Sequence, residues 1–396
     1  MTDIVIAGGR ALIGGTFIET PIALHGDTIA SVGANVARGA VTLDARDLRV
    51  LPGIVDLHGD DFERQMMPRP GVDFAVDIAL IDSDRQVIAN GITTVFHGVT
   101  WSWEPGLRGA GNAQQMISTI ASLQPRLAAD TRLHLRQETF NLDAEAEICA
   151  WIAAGRVGLL AFNDHIEATI ASADKPQKRA RMVERTGLSD AAFDRLAGEV
   201  ASRAGEVPAS IARLAAAARS AGVPMLSHDD GSPQMRGMYR ALGVGIAEFP
   251  INEATARDAA DAGDAIVFGA PNVVRGGSHI GWTRTSDMIA KGLCSVLASD
   301  YYYPAPLLAA FRLVADGVRA LPEAWSLVSR APAVAAGLSD RGELAPGRRA
   351  DILLVDDAIA LRPRVVAVIS GGRLVHLTEA DRISRADALS GAVAAA

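Results

Sequence analysis

The feature that most restricts the fold is a repeating alternation through the middle of the chain. Short runs at Ile54–His58, Thr93–His97, Arg132–Arg136, Leu159–Phe162, Pro224–Ser227, Ile246–Phe249, Ala265–Phe268 and Ser295–Ala298 read as strands. Between them lie stretches such as Ile211–Ala221, whose Ala-rich composition favours helix. Eight such alternations predict a (β/α)8 TIM-like barrel in the α/β class. A doubly wound open sheet is the competing layout. The Gly-rich dinucleotide fingerprint that would favour it is absent after the first strand, so the barrel is preferred.

The two ends of the chain differ from the middle. Residues 3–50 alternate short strands with glycine turns, among them Ile4–Ala7, Thr16–Ile18, Pro21–Leu24, Thr28–Val32 and Val41–Leu43. The far end repeats the pattern at Asp351–Asp356 and Val365–Ser370, with a Gly371-Gly372 hairpin before Arg373–Val375. Two strand-rich ends predict one small β-sandwich built from residues 1–52 and 345–396, leaving 53–344 for the barrel. The charged stretch from Asp174 to Arg185 and the helix start at Ser189-Asp190 suggest an inserted helical excursion over residues 171–206. Its basic residues Lys175, Lys178, Arg179 and Arg181 suit a solvated surface better than a lid.

With 49% hydrophobic and 21% charged residues in 396, the chain can bury a sizeable core. A formal charge of −8 argues against a nonspecific nucleic-acid binder and leaves an anionic substrate open, because a pocket can be locally basic. Cys149 and Cys294 lie far apart, so neither a disulfide scaffold nor a cysteine zinc site is expected. The opening residues Met1–Ile6 lack a basic segment followed by a long apolar one, and no apolar run reaches the length of a membrane span. A cytoplasmic protein is expected.

In a (β/α)8 barrel the active site lies at the C-terminal ends of the strands. His58, Asp60, His97, Glu138, His165, His228 and Asp300 fall there, as do Asn163, Asp164, Asp229 and Asp230, while Glu248 lies inside its strand. His58 and Asp60, two apart on an extended strand, share a face and can grip one ion. Each residue alone is more often an ordinary strand-end polar group; six at the same relative place are harder to dismiss. Three imidazoles, two carboxylates and one carboxylate able to bridge suffice for two divalent ions sharing a hydroxide. A late Asp beside that water can take its proton and deliver it to a leaving group.

The set His58-x-Asp60, Glu138, His165, His228 and Asp300, with β segments flanking a barrel, resembles the amidohydrolase superfamily. Within it the chain is similar to the α-D-ribose 1-methylphosphonate 5-triphosphate diphosphatases of carbon–phosphorus lyase pathways. The strings that carry this likeness are Leu51–Asp60, Pro68-Arg69-Pro70-Gly71-Val72-Asp73, Gly91–Phe96, Phe162–His165, Gly187–Asp190, Arg275-Gly276-Gly277-Ser278-His279 and Ala298–Asp300. The resemblance implies that His58, Asp60 and Asp300 hold one metal and His165 and His228 the other. Glu138 would then bridge where many relatives use a carbamylated Lys. Zn2+ is the first choice, and Mn2+ or Fe2+ suits the same mixed N/O ligands. The implied reaction is hydrolysis between the α and β phosphates, giving the 5-phosphate and pyrophosphate, with Asp300 as the catalytic proton carrier.

Arg64, Arg69, Arg275 and His279 are the candidates for the substrate's phosphoryl oxygens, because guanidinium matches a phosphate edge with two parallel hydrogen bonds. For Arg69, pairing with Asp73 or Asp77 has equal weight. His97 joins the substrate-binding set as a departure from the subgroup, where an Asp is usual. Gln137 for Cys, Ile280-Gly281-Trp282 for smaller polar residues and Arg64-Gln65 for Lys-His are further departures. They spare every implied metal ligand and bear on the substrate. The alternative activity is C–N hydrolysis of a cyclic amide, hydantoin-like ring or aminated base; the non-enzymatic alternative is a barrel with structural ions. The expected partner is a small phosphorylated molecule, with a homodimer as the assembly such barrels often form.

Overall fold

The computed structural model describes residues 3–33, 40–69, 71–166, 169, 176–277 and 283–385. Eight parallel strands, Ile54–Gly59, Ile92–Trp101, Asp130–Glu138, Leu159–Asn163, Met225–His228, Ile246–Glu248, Ala265–Gly269 and Val296–Ala298, neighbour one another in chain order. The ring closes between the last and the first. The Asp300 amide donates to the His58 carbonyl at 2.8 Å, and the Asp60 amide donates to the Asp300 carbonyl at 3.0 Å. The barrel was therefore the correct choice over the open sheet.

Strands in such a ring are covered on both faces, which is why they read as nearly continuous apolar runs. All ten residues of Ile92–Trp101 are buried. One face fills the barrel with Val55, Leu57, Phe96, Leu159, Ala161, Leu226, Ile246, Val267 and Val296. The other packs against the helices, as Leu133, Leu135, Leu160 and Phe162 do against Ile117, Ile120 and Leu214. The interior is thus a packed floor, and the polar residues gather above it.

The terminal segments form two further sheets. One joins Ile383–Arg385, Val41–Asp44, Ile4–Ala7, Ile22–His25 and Thr28–Val32; the other joins Arg373–Leu377, Arg364–Ser370, Ile352–Asp356, Arg49–Pro52, Arg10–Ile13 and Thr16–Glu19. Both draw strands from the two ends of the chain, as a composite β-sandwich requires. Gly371 and Gly372 make the hairpin with φ of +53° and +73°, and a Cβ on Gly372 would run into the Gly26 carbonyl. The apolar run Val50–Val55 is divided between the two units: Arg49–Pro52 pairs with Ile352–Asp356, and Ile54 opens the barrel. Gly53 makes the crossing, where any Cβ would collide with Thr93.

After the fourth strand, helices Pro176–Thr186 and Asp190–Ser202 precede Val207–Ser220. Ser189 caps the second of these, its Oγ accepting from the Ala192 amide. Arg179 bonds Asp190 and Asp194 at 3.2 and 2.8 Å, so it ties the two helices together. Lys175 lies outside the described residues. No helix among the described residues is long and apolar enough to cross a membrane.

Candidate metal centre

The strand ends bring most of the expected ligands together. His58 Nε2 lies 3.8 Å from Asp60 Oδ2, and His58, Asp60 and Asp300 offer ligand atoms within 4.8 Å of one another. A second group under the same limit is His165, His228 and Asp229. His165 Nε2 and His228 Nδ1 approach the same Asp229 oxygen at 3.5 and 3.2 Å. The His58 and His228 rings, 5.7 Å apart between centroids, link the two groups.

Glu138 reaches this cluster from the other side of His165. Its Oε1 is 2.6 Å from His165 Nδ1, and its Oε2 accepts from the His165 amide at 3.3 Å. Asp229 thus stands in the second group where sequence reasoning had placed only the two histidines and a bridging Glu138. Backbone geometry explains the exchange. Asp229, Phe249 and Asp300 have φ of +60°, +55° and +54°, and each sits just beyond a barrel strand. This left-handed conformation is uncommon for residues other than glycine and concentrates at functional sites. At Asp229 it turns that carboxylate to the histidines, while Asp230 is buried against Ser227 Oγ at 2.5 Å and Arg236 Nη1 at 3.3 Å.

Arg136 and Glu248 are the residues that sequence reasoning left without a role. Arg136 shares its strand face with His134 and Glu138, as the period of two along a strand implies. Its guanidinium lies 3.5 Å from Asp60 Oδ2 and 3.1 Å from His228 Nε2, spanning the two ligand groups. Glu248 Oε1 accepts from His58 Nδ1 at 2.8 Å. Asp56, fully buried, takes the Ser299 amide at 2.9 Å and the Ser299 hydroxyl at 2.5 Å, locking the first strand to the eighth beneath Asp300.

The charges are strained in the way a cation would relieve. Burial, and then the nearby Asp60 charge, push the Asp300 carboxyl up to about 7. Burial works against a charged His58, yet Glu248 beside it drives that ring up to about 10. Burial likewise opposes charge on His165, and Glu138 raises it to about 9. Protons held this way are what a divalent ion displaces when it binds. A third group under the same limit, His58, His134 and Glu248, lies beneath these two, and mixed sets of three N/O donors suit a catalytic divalent metal better than a closed four-ligand structural site. Gly98 keeps the approach clear: a Cβ there would lie 3.4 Å from both His58 Nε2 and Arg136 Cδ. Gly98→Val is expected to fold and to lose most of its bound metal, as measured by elemental analysis after dialysis; wild-type metal content would overturn this.

The proposed substrate contacts are less concentrated. Arg275 Nη1 donates to Tyr301 Oη at 3.2 Å, which places it beside Asp300 at the mouth. Arg64 is 66% exposed and approaches Asp61 at 3.5 Å. Arg69 is exposed, in a turn bridged to Val72, and no pairing with Asp73 or Asp77 is seen. His97 is fully buried with its ring against Phe62 and Tyr303, at centroid distances of 5.2 and 6.4 Å. Gly98 faces the interior, so His97 faces outward, behind the strand and away from the pocket. His279 and Ile280–Trp282 lie outside the described residues. A cavity of about 1220 Å³ adjoins the mouth, walled by Phe74, Trp101, Trp103, Asn141, Asp73 and Glu184 among others, and none of the described residues that line it is Lys or Arg.

Residues of this kind, converging at the C-terminal mouth of a barrel with a flanking β-sandwich, make the protein a metal-dependent hydrolase. The amidohydrolase family model matches residues 88–376, and the chain belongs to that family. It is 31% identical over 360 residues to the α-D-ribose 1-methylphosphonate 5-triphosphate diphosphatase of Escherichia coli, covering 88% of this chain and 94% of that protein. It is 28% identical over 396 residues to an adenine deaminase of Methylobacterium nodulans, covering 94% of this chain and 58% of the deaminase. Among solved structures, N-isopropylammelide isopropylaminohydrolase from Burkholderia multivorans superposes with a TM-score of 0.66 at 19% identity, over 95% of this chain and 98% of that one. That likeness concerns the fold.

Proposed function

We propose that the protein hydrolyses the α–β phosphoanhydride of α-D-ribose 1-methylphosphonate 5-triphosphate, or a close analogue, to the 5-phosphate and pyrophosphate. The observation that carries this reading is the likeness to the Escherichia coli diphosphatase along nearly the full length of both chains. The convergence of His58, Asp60, His165, His228 and Asp300 at one mouth supports it. We assign two divalent ions, Zn2+ first, to the groups His58/Asp60/Asp300 and His165/His228/Asp229, with Glu138 beside the second. When bound, such ions supply a water of lowered pKa and offset charge on the phosphoryl group. Asp300, kept protonatable by its buried position, holds and returns a proton at its carboxylate oxygen. Arg275 at the mouth and Arg136 within it offer guanidinium to anionic oxygens. Catalysis belongs to the barrel unit, residues 53–344, with residues 1–52 and 345–396 as its buttress. A cytoplasmic setting fits the two free cysteines, one of them buried, and a homodimer is the assembly proposed.

Water and the triphosphate balance the two products, so the test is direct. Metal-loaded enzyme is expected to release pyrophosphate and the 5-phosphate in equal amounts, followed by phosphorus NMR. An untouched triphosphate at full metal occupancy would refute the assignment. A second reading, C–N hydrolysis of an aminated base or cyclic amide, is favoured by one observation: the cavity beside the mouth is aromatic and acidic, with no Lys or Arg among the described residues that line it. Ammonia release from adenine or ring opening of a hydantoin would select that reading.

A further inference from the structure

Glu248 ends the sixth strand with its carboxylate in the barrel interior, fully buried. One oxygen, Oε1, accepts from His58 Nδ1 at 2.8 Å. The other, Oε2, has no hydrogen bond among the described residues; it faces His134 Nε2 at 3.8 Å, and that nitrogen has none there either. His134 Nδ1 is 2.9 Å from the Leu57 carbonyl. A carbonyl only accepts, so His134 Nδ1 carries its proton. Leu57 and His58 are consecutive. His134 therefore holds the backbone of this strand end while Glu248 holds its imidazole, and the two holders face each other beneath it.

This arrangement has a consequence for which nitrogen of His58 is free. A carboxylate at Nδ1 keeps the proton there, so the proton that a metal ion displaces is the one on Nε2, whose lone pair then faces the ion. Nε2 is the nitrogen turned toward Asp60. We propose that Glu248 is a positioning residue for the metal centre: it fixes His58 in the Nδ1–H form with Nε2 aimed at the ion, and its charge strengthens His58 as a ligand. A carboxylate behind a ligating histidine typically contributes 10–100-fold to metal affinity, about that much being lost when it is removed. The inference rests on the metal-centre reading above and is independent of which bond the enzyme hydrolyses.

The test is Zn2+ affinity of the full chain, by competition with a chromophoric chelator, for wild type, Glu248→Gln and Glu248→Asp. Gln keeps the shape and one acceptor but removes the charge; Asp keeps the charge but withdraws it by one methylene. Both are expected to bind Zn2+ about 10–100-fold more weakly. The thermal midpoint of the metal-free Gln variant should stay near that of metal-free wild type. Affinity equal to wild type, with or without a lower midpoint, overturns the proposal and leaves Glu248 structural. If neither variant folds, 15N-histidine NMR of Zn2+-loaded wild type decides: Nδ1–H with metal on Nε2 supports the proposal, and the reverse overturns it. Wild type that takes up no Zn2+ refutes the metal-centre reading itself, a result distinct from equal binding by wild type and variant.

Discussion

Asp300→Asn is expected to lower turnover by about 10²–10⁴-fold at matched metal occupancy, the range a positioned acid–base group supplies. The carboxylate stands at the seam that closes the barrel, and its backbone is bonded to His58 and Asp60 on the opposite strand. Those backbone bonds survive the substitution, so the fold should too. The amide lacks the ability to take up and return a proton, while His58 and Asp60 stay in place. Gly269 leaves room for the side chain, since a Cβ there would lie 3.2 Å from Asp300 Oδ2. Pyrophosphate release from the triphosphate is the readout. Turnover within about tenfold of wild type, on every substrate the enzyme accepts, would remove Asp300 from the reaction.

The largest effect on stability is expected from Arg236→Met. Arg236 is fully buried, with Nε donating to Asp264 at 2.9 Å and Nη1 to Ser227 Oγ at 2.5 Å and Asp230 at 3.3 Å; Nη2 reaches the Val244 carbonyl. Removing one partner from a buried ion pair leaves an uncompensated charge and costs about 3–5 kcal/mol. Here Asp230 would lose the ion pair it makes among the described residues, while Asp264 would keep Arg240 at 2.9 Å. The loss should appear as a lower denaturant midpoint in the metal-free protein. Ser227 and Asp230 flank His228 and Asp229, so weaker metal retention should accompany it. Arg236→Lys should recover little, because one ammonium cannot serve acceptors spread around a planar fork. A midpoint unchanged in Arg236→Met would show that this network contributes little net stability.

Much of the barrel was legible because its signals are local. Each of the eight strands was visible as a β-rich run, all but the seventh with a polar residue in or just after it, and the composite sandwich as glycine-punctuated strands at both ends. Where the readings fell short, a long-range fact was needed. The run Val50–Val55 carries no mark that Arg49–Pro52 belongs to one sheet and Ile54 to another; pairing with Ile352–Asp356 makes that division. His97 was read as a pocket residue because strand parity needs an anchor, and that anchor, Gly98 over His58, is a tertiary contact. Arg64 and Arg69, proposed as phosphate ligands from guanidinium chemistry and, for Arg69, from the Pro68–Asp73 string, are both exposed.

The amino-acid order by itself determined the class of fold and the inventory of donor atoms, since hydrophobic period and residue chemistry are properties of neighbours along the chain. Which of Asp229 and Asp230 turns to the histidines, which nitrogen of His58 is left free, and which cation stands between the ligand groups were decided only by tertiary structure. A left-handed backbone at Asp229, a buried carboxylate on the sixth strand and a guanidinium on the third act across the barrel. Contacts between residues so far apart in the chain exist only after the strands have closed into a ring.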